Sequence, residues 1–304
     1  MSGFLTSILV GFQYFLYLDD SLPSLPVSSS LSFNEKIAWL GRQELASCDV
    51  IASGSSITLN NINSDIIKGG LKERGYINIS SWGMSIAENM DWLKSFFKVC
   101  KPKVLLIGTS ANDFHHVSSA EKNIDYALLS EILNHDRAES SYLDIRHIYY
   151  NILNMNKVDD ERVDTAVTGS LFFDHSGGVP LAYKDWSKDK RWNKGLVDGD
   201  SISESNYTAL LELANFLKAE GIKLVLVQTP IRVDALKLRG EYFYQHVERL
   251  KAISLSAEFV FIDALELDLA SKYFADTSHL NLEGAKILSQ HILSNSNFQL
   301  LTEL

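Results

Sequence analysis

Residues 49–57 read DVIASGSSI. A short apolar run with two β-branched residues, Val50 and Ile51, enters Gly54, two serines and then a segment of helical character. That is the pattern of a strand ending in a tight turn that opens a helix. Working outward, the same rhythm recurs. Apolar, β-rich runs at residues 50–53, 76–79, 104–107, 224–228 and 259–262 predict strands, and helix-like segments fill the gaps. Residues 86–99 place Ile86, Met90, Leu93 and Phe97 on one face at three- and four-residue spacing. Residues 207–220 have Ser205 as an N-cap candidate and Gly221 just past their end, and residues 282–293 follow Asn281, another good cap. Strands alternating with helices predict an α/β fold built on a doubly wound, parallel, five-stranded sheet of flavodoxin-like type. Such a sheet binds ligands at the carboxyl ends of its strands.

The flanks of this pattern set the domain organisation. The chain has 304 residues, 46% of them hydrophobic and 22% charged, enough for one large domain or one domain with an insertion. Residues 33–304 are the expected α/β domain. The rhythm breaks at about residues 118–205, where Trp186 and Trp192 stand among lysines and aspartates. This stretch reads as an insertion of helices and loops beside the active edge, and its Phe173, Tyr183, Trp186 and Trp192 either stack on sugar rings or pack the insertion.

Residues 1–32 read as an apolar segment and a Ser/Pro linker. Residues 4–18 are apolar but shorter than the roughly 20 residues of a spanning helix, and neither a preceding basic residue nor a cleavage site marks a signal peptide. They read as a short anchor, an interfacial helix or a docked helix. The favoured expectation is membrane association at the cell envelope, with the cytoplasm as the alternative.

A net charge of -10 argues against a nucleic-acid partner, because neutralising phosphates needs surplus Lys and Arg. The two cysteines, Cys48 and Cys100, lack the spacing of a zinc site. Each shortly precedes an apolar run, so they could lie close together at the bottom of adjacent strands, and they read as two buried thiols. His115 and His116 beside Asp113, or Asp174 with His175, lack the spacing of a familiar metal site. Neither a metal nor a cofactor is expected.

Three strand-end or loop clusters could carry chemistry. Gly54-Ser55-Ser56 would hold a serine hydroxyl at the carboxyl end of a strand. Gly108 to Asp113 would place the Asn112 amide in the same crevice, where it could stabilise an oxyanion. Asp276-Thr277-Ser278-His279 puts a carboxylate three residues before a histidine, within reach of Nδ1, leaving Nε2 to take a proton from a serine. Each cluster alone also reads as plain turn chemistry. Arg232, two residues after Pro230, could reach an anionic group or lie solvated on the surface.

Together, and in this order, the clusters resemble the SGNH (GDSL-like) hydrolase and O-acyltransferase superfamily. Gly54-Ser55-Ser56 is similar to its first block with Ser in place of Asp, residues 78–83 (NISSWG) to the second, Asn112-Asp113 to the third, and Asp276 to His279 to the last. The resemblance covers the chain from about residue 49 to its end, the insertion excepted. It implies Ser56 as nucleophile, His279 as general base and Asp276 as its orienting acid, with Ser56, Gly83 and Asn112 forming the oxyanion hole. Ser55, His115 and Arg232 are candidate substrate-binding residues.

Two departures stand out. Ser110 occupies the family's glycine position before the Asn, and Ser55 leaves two serines able to act, with block position favouring Ser56. The Gly-Ser-Ser form, together with the apolar N-terminus and the sizeable insertion, looks most like the branch that modifies cell-envelope polysaccharides. That branch implies a carbohydrate or acyl-ester substrate and an acyl-donor protein in the membrane as a partner. The alternative is a non-catalytic SGNH-like protein that binds a glycan or a partner in polysaccharide assembly.

Overall fold

The computed structural model describes residue 11 and residues 25–45, 47–72, 74–115, 124–134, 173–182, 202–265 and 267–302. In chain order the elements are α1 (Leu31–Leu40), β1 (Val50–Ala52), α2 (Ser56–Asn61), α3 (Ser64–Gly70), β2 (Tyr76–Asn78), α4 (Ile86–Phe96), β3 (Val104–Thr109) and α5 (Tyr126–Leu133). They continue with α6 (Glu204–Ala219), β4 (Lys223–Gln228), α7 (Val233–Ala257), β5 (Val260–Asp263), α8 (Leu282–Ser294) and α9 (Ser296–Thr302), and 3₁₀ turns form at Ala111–Phe114 and Ser271–Tyr273.

The chain forms two compact units, Met1–Gln43 with Lys122–Asp164 and Glu44–Glu121 with Thr165–Leu304. In the first, serines that read as linker start a helix: the Ser30 hydroxyl accepts a hydrogen bond from the Phe33 N–H. The Asp125 carboxylate caps α5 by accepting from the Ala127 and Leu128 N–H groups, while its own N–H donates to the Val27 carbonyl at 2.7 Å.

The second unit carries the sheet, in order β2-β1-β3-β4-β5 with every pairing parallel. This is the expected doubly wound, flavodoxin-like arrangement, and all five strands lie where the apolar runs predict them. Strand order reverses between β1 and β3, and the crevice at their carboxyl ends is where such sheets place ligands. One sheet face, including Val50, Ala52, Val104, Leu106, Val225 and Val227, packs with Leu288, Ile292 and Phe274. Burial on both faces explains why the strands read as unbroken apolar runs.

Helix α4 starts in a capping box, Ser85 with Glu88, and ends earlier than its apolar spacing predicts, where the Phe97 N–H bonds to the Leu93 carbonyl and the chain turns. Helix α6 starts earlier than predicted. Helix α7, whose bounds the sequence does not mark, carries non-helical backbone at Arg239 (φ −135°, ψ 32°) just before Gly240.

Two expectations are corrected. Cys48 and Cys100 are not thiols: they form a disulfide, with Cα atoms 6.2 Å apart. Parallel pairing of Val50 with Val104 brings the residues just before β1 and β3 to the same end of the sheet, inside bridging range. The expected membrane association through the N-terminal segment is not borne out either: among the described residues no helix is long and apolar enough to cross a membrane. Residues 4–18, apart from Gly11, lie outside the described residues, as do His116, Tyr183, Trp186 and Trp192.

Candidate active site

The turn after β1 is shaped by Gly54 at φ +152°, where a Cβ would come within 2.3 Å of Thr58 Oγ1. Only glycine suits that conformation and that space. The Thr58 hydroxyl fills it because it donates to the Gly108 carbonyl at 2.7 Å and accepts from the Gly108 N–H at 3.1 Å, joining α2 to β3. The two serines that follow have different surroundings. Ser55 is buried as the N-cap of α2, its hydroxyl accepting from the Ile57 N–H at 3.1 Å. Ser56 opens the helix half-buried, with its hydroxyl turned to His279.

His279 lies on the loop between β5 and α8. Asp276 Oδ1 accepts from the Ser278 and His279 N–H groups at 2.8 and 2.7 Å, which folds the loop around the carboxylate. Asp276 Oδ2 is 2.8 Å from His279 Nδ1, and His279 Nε2 is 2.9 Å from Ser56 Oγ. Burial pushes the Asp276 carboxyl up, but the charge of the His279 ring, its hydrogen bond and the two backbone N–H donors outweigh it and hold the pKa below the usual carboxylate range. An ionised Asp276 accepts from Nδ1–H, which leaves Nε2 able to accept from the Ser56 hydroxyl. The histidine and aspartate side chains are only 16% and 12% exposed, so little water competes for these bonds.

Asn112 lies in the 3₁₀ turn after β3 and directs its amide at the same loop, with Nδ2 3.5 Å from Ser278 Oγ. Ser110, at φ −135° and ψ 167°, has extended backbone that any residue adopts, so the turn does not need the glycine that the family pattern carries there. Asp113 accepts from the Ser110 N–H at 2.9 Å and the Thr109 hydroxyl at 3.0 Å. Its burial raises its pKa, against hydrogen bonds from Ser55, Ser110 and Thr109. Gly83, at φ +62°, lies exposed in the turn that follows β2.

Two candidate binding residues are tied to protein groups. His115 is buried, bonds through Nε2 to the Tyr242 hydroxyl and stacks on that ring at 5.4 Å. The Arg232 side chain, 6% exposed, pairs through Nε and Nη2 with both Asp234 oxygens at 2.7 and 2.9 Å. Its Nη1 donates to the Asp276 carbonyl at 3.1 Å and its backbone N–H to the Thr277 carbonyl at 3.0 Å, so it holds the back of the histidine loop. An open cavity of about 730 Å³ runs beside residues 236–242 and 245, with Tyr242 on its wall. Among the described residues no group of three or more His, Cys, Asp or Glu side chains could hold a metal ion.

Sequence patterns did not single out Ser278 or Asp113 for these contacts, nor Asn61, whose amide bonds to the Ser278 carbonyl and the Leu280 N–H of the same loop. One signal was present: Asn60, Asn61 and Asn63 crowd the end of the helix that Ser56 starts, where asparagine is a poor helix former.

A protein-family model matches residues 181–301, a stretch that includes the Asp276 and His279 loop and excludes Ser56, Gly83 and Asn112. No curated protein sequence matches the chain. Among solved structures, TesA is similar with a TM-score of 0.44 and 12% identity, over 80% of this chain and 94% of that one. A Bacteroides fragilis NCTC 9343 protein described as an acylhydrolase is similar with a TM-score of 0.44 and 14% identity, over 88% of this chain and 93% of that one.

Proposed function

We propose that the protein is a serine-dependent acyl-transfer enzyme, an esterase or O-acyltransferase, with Ser56 as nucleophile. The observation that carries this reading is the pair of hydrogen bonds running from Ser56 Oγ to His279 Nε2 and from His279 Nδ1 to Asp276 Oδ2, at 2.9 and 2.8 Å. Ser56 Oγ attacks the ester carbonyl carbon as its proton passes to His279 Nε2. Asp276 holds the imidazole in the required tautomer and stabilises the imidazolium. The charge that develops on the carbonyl oxygen is met by the Ser56 and Gly83 N–H groups and the Asn112 amide. Collapse of the tetrahedral intermediate expels the alcohol, which takes the proton from His279, and leaves an acyl-Ser56 ester. An acceptor hydroxyl then gives its proton to His279, attacks that ester and restores the serine.

The family resemblance favours a carbohydrate hydroxyl as that acceptor, with water as the hydrolytic alternative. An acyl-donor protein in the membrane would then supply the acyl group.

Hydrolysis of p-nitrophenyl acetate by wild type and by Ser56→Ala, with and without added glycans, tests the reading. Activity that vanishes in Ser56→Ala is expected, and glycan that gains acetyl groups identifies a transferase. A folded wild type that neither turns over the ester nor reacts with a fluorophosphonate probe would sink the catalytic reading and leave the binding protein.

A further inference from the structure

Asn61 is the last residue of α2, the helix that Ser56 begins, and its side chain is fully buried. Its amide nitrogen donates to the Ser278 carbonyl at 2.8 Å, and its amide oxygen accepts from the Leu280 N–H at 2.7 Å. Those two main-chain groups belong to the residues on either side of His279. We propose that Asn61 is a positioning residue that sets the His279 imidazole against the Ser56 hydroxyl, an inference that rests on Ser56 and His279 acting as nucleophile and base.

The physical case begins with the carboxamide. It presents a donor and an acceptor side by side without charge, so it can pair with the carbonyl and the N–H that flank a single residue. Both backbone groups are buried, and removing their partner would leave them unsatisfied, which favours a shift of the loop. Helix α2 is only six residues long, too short to hold its place by helix formation alone. Its position depends on what its side chains grip.

Neighbouring residues grip other things. Asn60 Nδ2 donates to the Val179 carbonyl at 2.8 Å, and the Asn63 N–H donates to Ser289 Oγ at 2.8 Å. Asn61 alone among these asparagines reaches the histidine loop. One rigid element therefore carries the nucleophile at its first residue and brackets the base from its last. Arg232 holds the same loop from behind, through the Asp276 and Thr277 carbonyls, so release of Asn61 frees the side that faces Ser56.

The test compares wild type, Asn61→Ala and Asn61→Asp in two measurements: kcat and KM for p-nitrophenyl acetate, and the NMR resonance of the His279 Nδ1–H, which needs no turnover. For folded Asn61→Ala, kcat is expected to fall about 10²-fold, the cost of displacing reacting groups by roughly an ångström, with KM little changed and the Nδ1–H resonance broadened. Asn61→Asp keeps an acceptor for the Leu280 N–H and should fall between the two. It carries the comparison if Asn61→Ala does not fold. A folded variant with unaltered kcat and an unaltered resonance overturns the proposal. Failure of both variants to fold, or losses of kcat that only track the folded fraction, makes Asn61 a purely structural residue and overturns it as well. A wild type without turnover defeats the functional reading instead, and the resonance alone then decides the role of Asn61.

Discussion

The difference between Ser55 and Ser56 is made by what each hydroxyl meets. The Ser55 hydroxyl caps α2 by accepting from the Ile57 N–H and is hydrogen-bonded to Asp113, whereas Ser56 points at an imidazole whose other nitrogen is already engaged. The same reasoning applies to Asn112. Its side chain lies half-buried at the end of β3 with its amide aimed into the Ser278 side of the site, where an oxyanion donor would stand. Loss of one such donor costs about 10²- to 10³-fold in rate. Asn112→Ala should therefore lower kcat by that factor in an ester assay while its urea unfolding midpoint stays close to wild type. A midpoint that falls with activity would mean that the residue holds the turn and does no more.

At the scale of elements, the site is assembled by stitches between segments and not by helix propensity. Thr58 ties α2 to the end of β3, and the Phe274 to Leu280 bridge closes the histidine loop on itself. The disulfide acts at the other end of the sheet, where it joins the chain entering β1 to the turn after α4. It closes a loop across a sequence separation of 52, for which chain entropy predicts about 4 kcal/mol of stabilisation. Cys100→Ser should lower the unfolding free energy by up to that amount. It should leave kcat intact, because the strand ends that carry Ser56 and Asn112 lie at the opposite edge. A drop in kcat at temperatures where the variant is fully folded would show that the two edges are coupled.

For the molecule as a whole, acid should unfold the protein partly through a single buried base. His246 on α7 packs edge-on against the Phe114 ring at 4.8 Å, and its Nδ1 is 2.7 Å from the Tyr207 hydroxyl. Burial, helped by the charge of His115, pushes its pKa from 6.5 down to about 3. A base depressed in the folded state takes up protons on unfolding. Its contribution to stability is therefore complete above about pH 6.5 and is lost as pH falls toward the folded value, at about 1.4 kcal/mol per pH unit. Between pH 6.5 and 5 this amounts to about 2 kcal/mol, and His246→Gln should flatten the stability curve by that much in urea titrations at the two pH values. Equal slopes for variant and wild type would mean that His246 is protonated in the native state. Because Phe114 closes the turn that holds Asn112, the acid limit of the fold and that of the site should move together.

Much of the architecture was legible because it is written in local patterns. Unbroken apolar runs marked the strands, since the parallel strands β1 to β3, covered on both faces, leave no polar side to alternate. Caps such as Asn281 marked a helix start, because the need of the first N–H groups for a partner is met by the adjacent residue. The same local logic placed Ser56 and Asn112 at carboxyl ends of strands and Asp276 three residues before His279. The local rules misled where a residue's partner is far away: the two cysteines read as thiols, yet each finds the other across a separation of 52. What only the tertiary structure decided are contacts between residues remote in the chain. Ser56 meets His279 across a separation of 223, Asn61 brackets that histidine across 217 and 219, and Arg232 turns inward to Asp276. A sequence reveals what a residue can do for its neighbours within a turn or two, whereas the partner of a long-range hydrogen bond is chosen by how strands pair and helices pack.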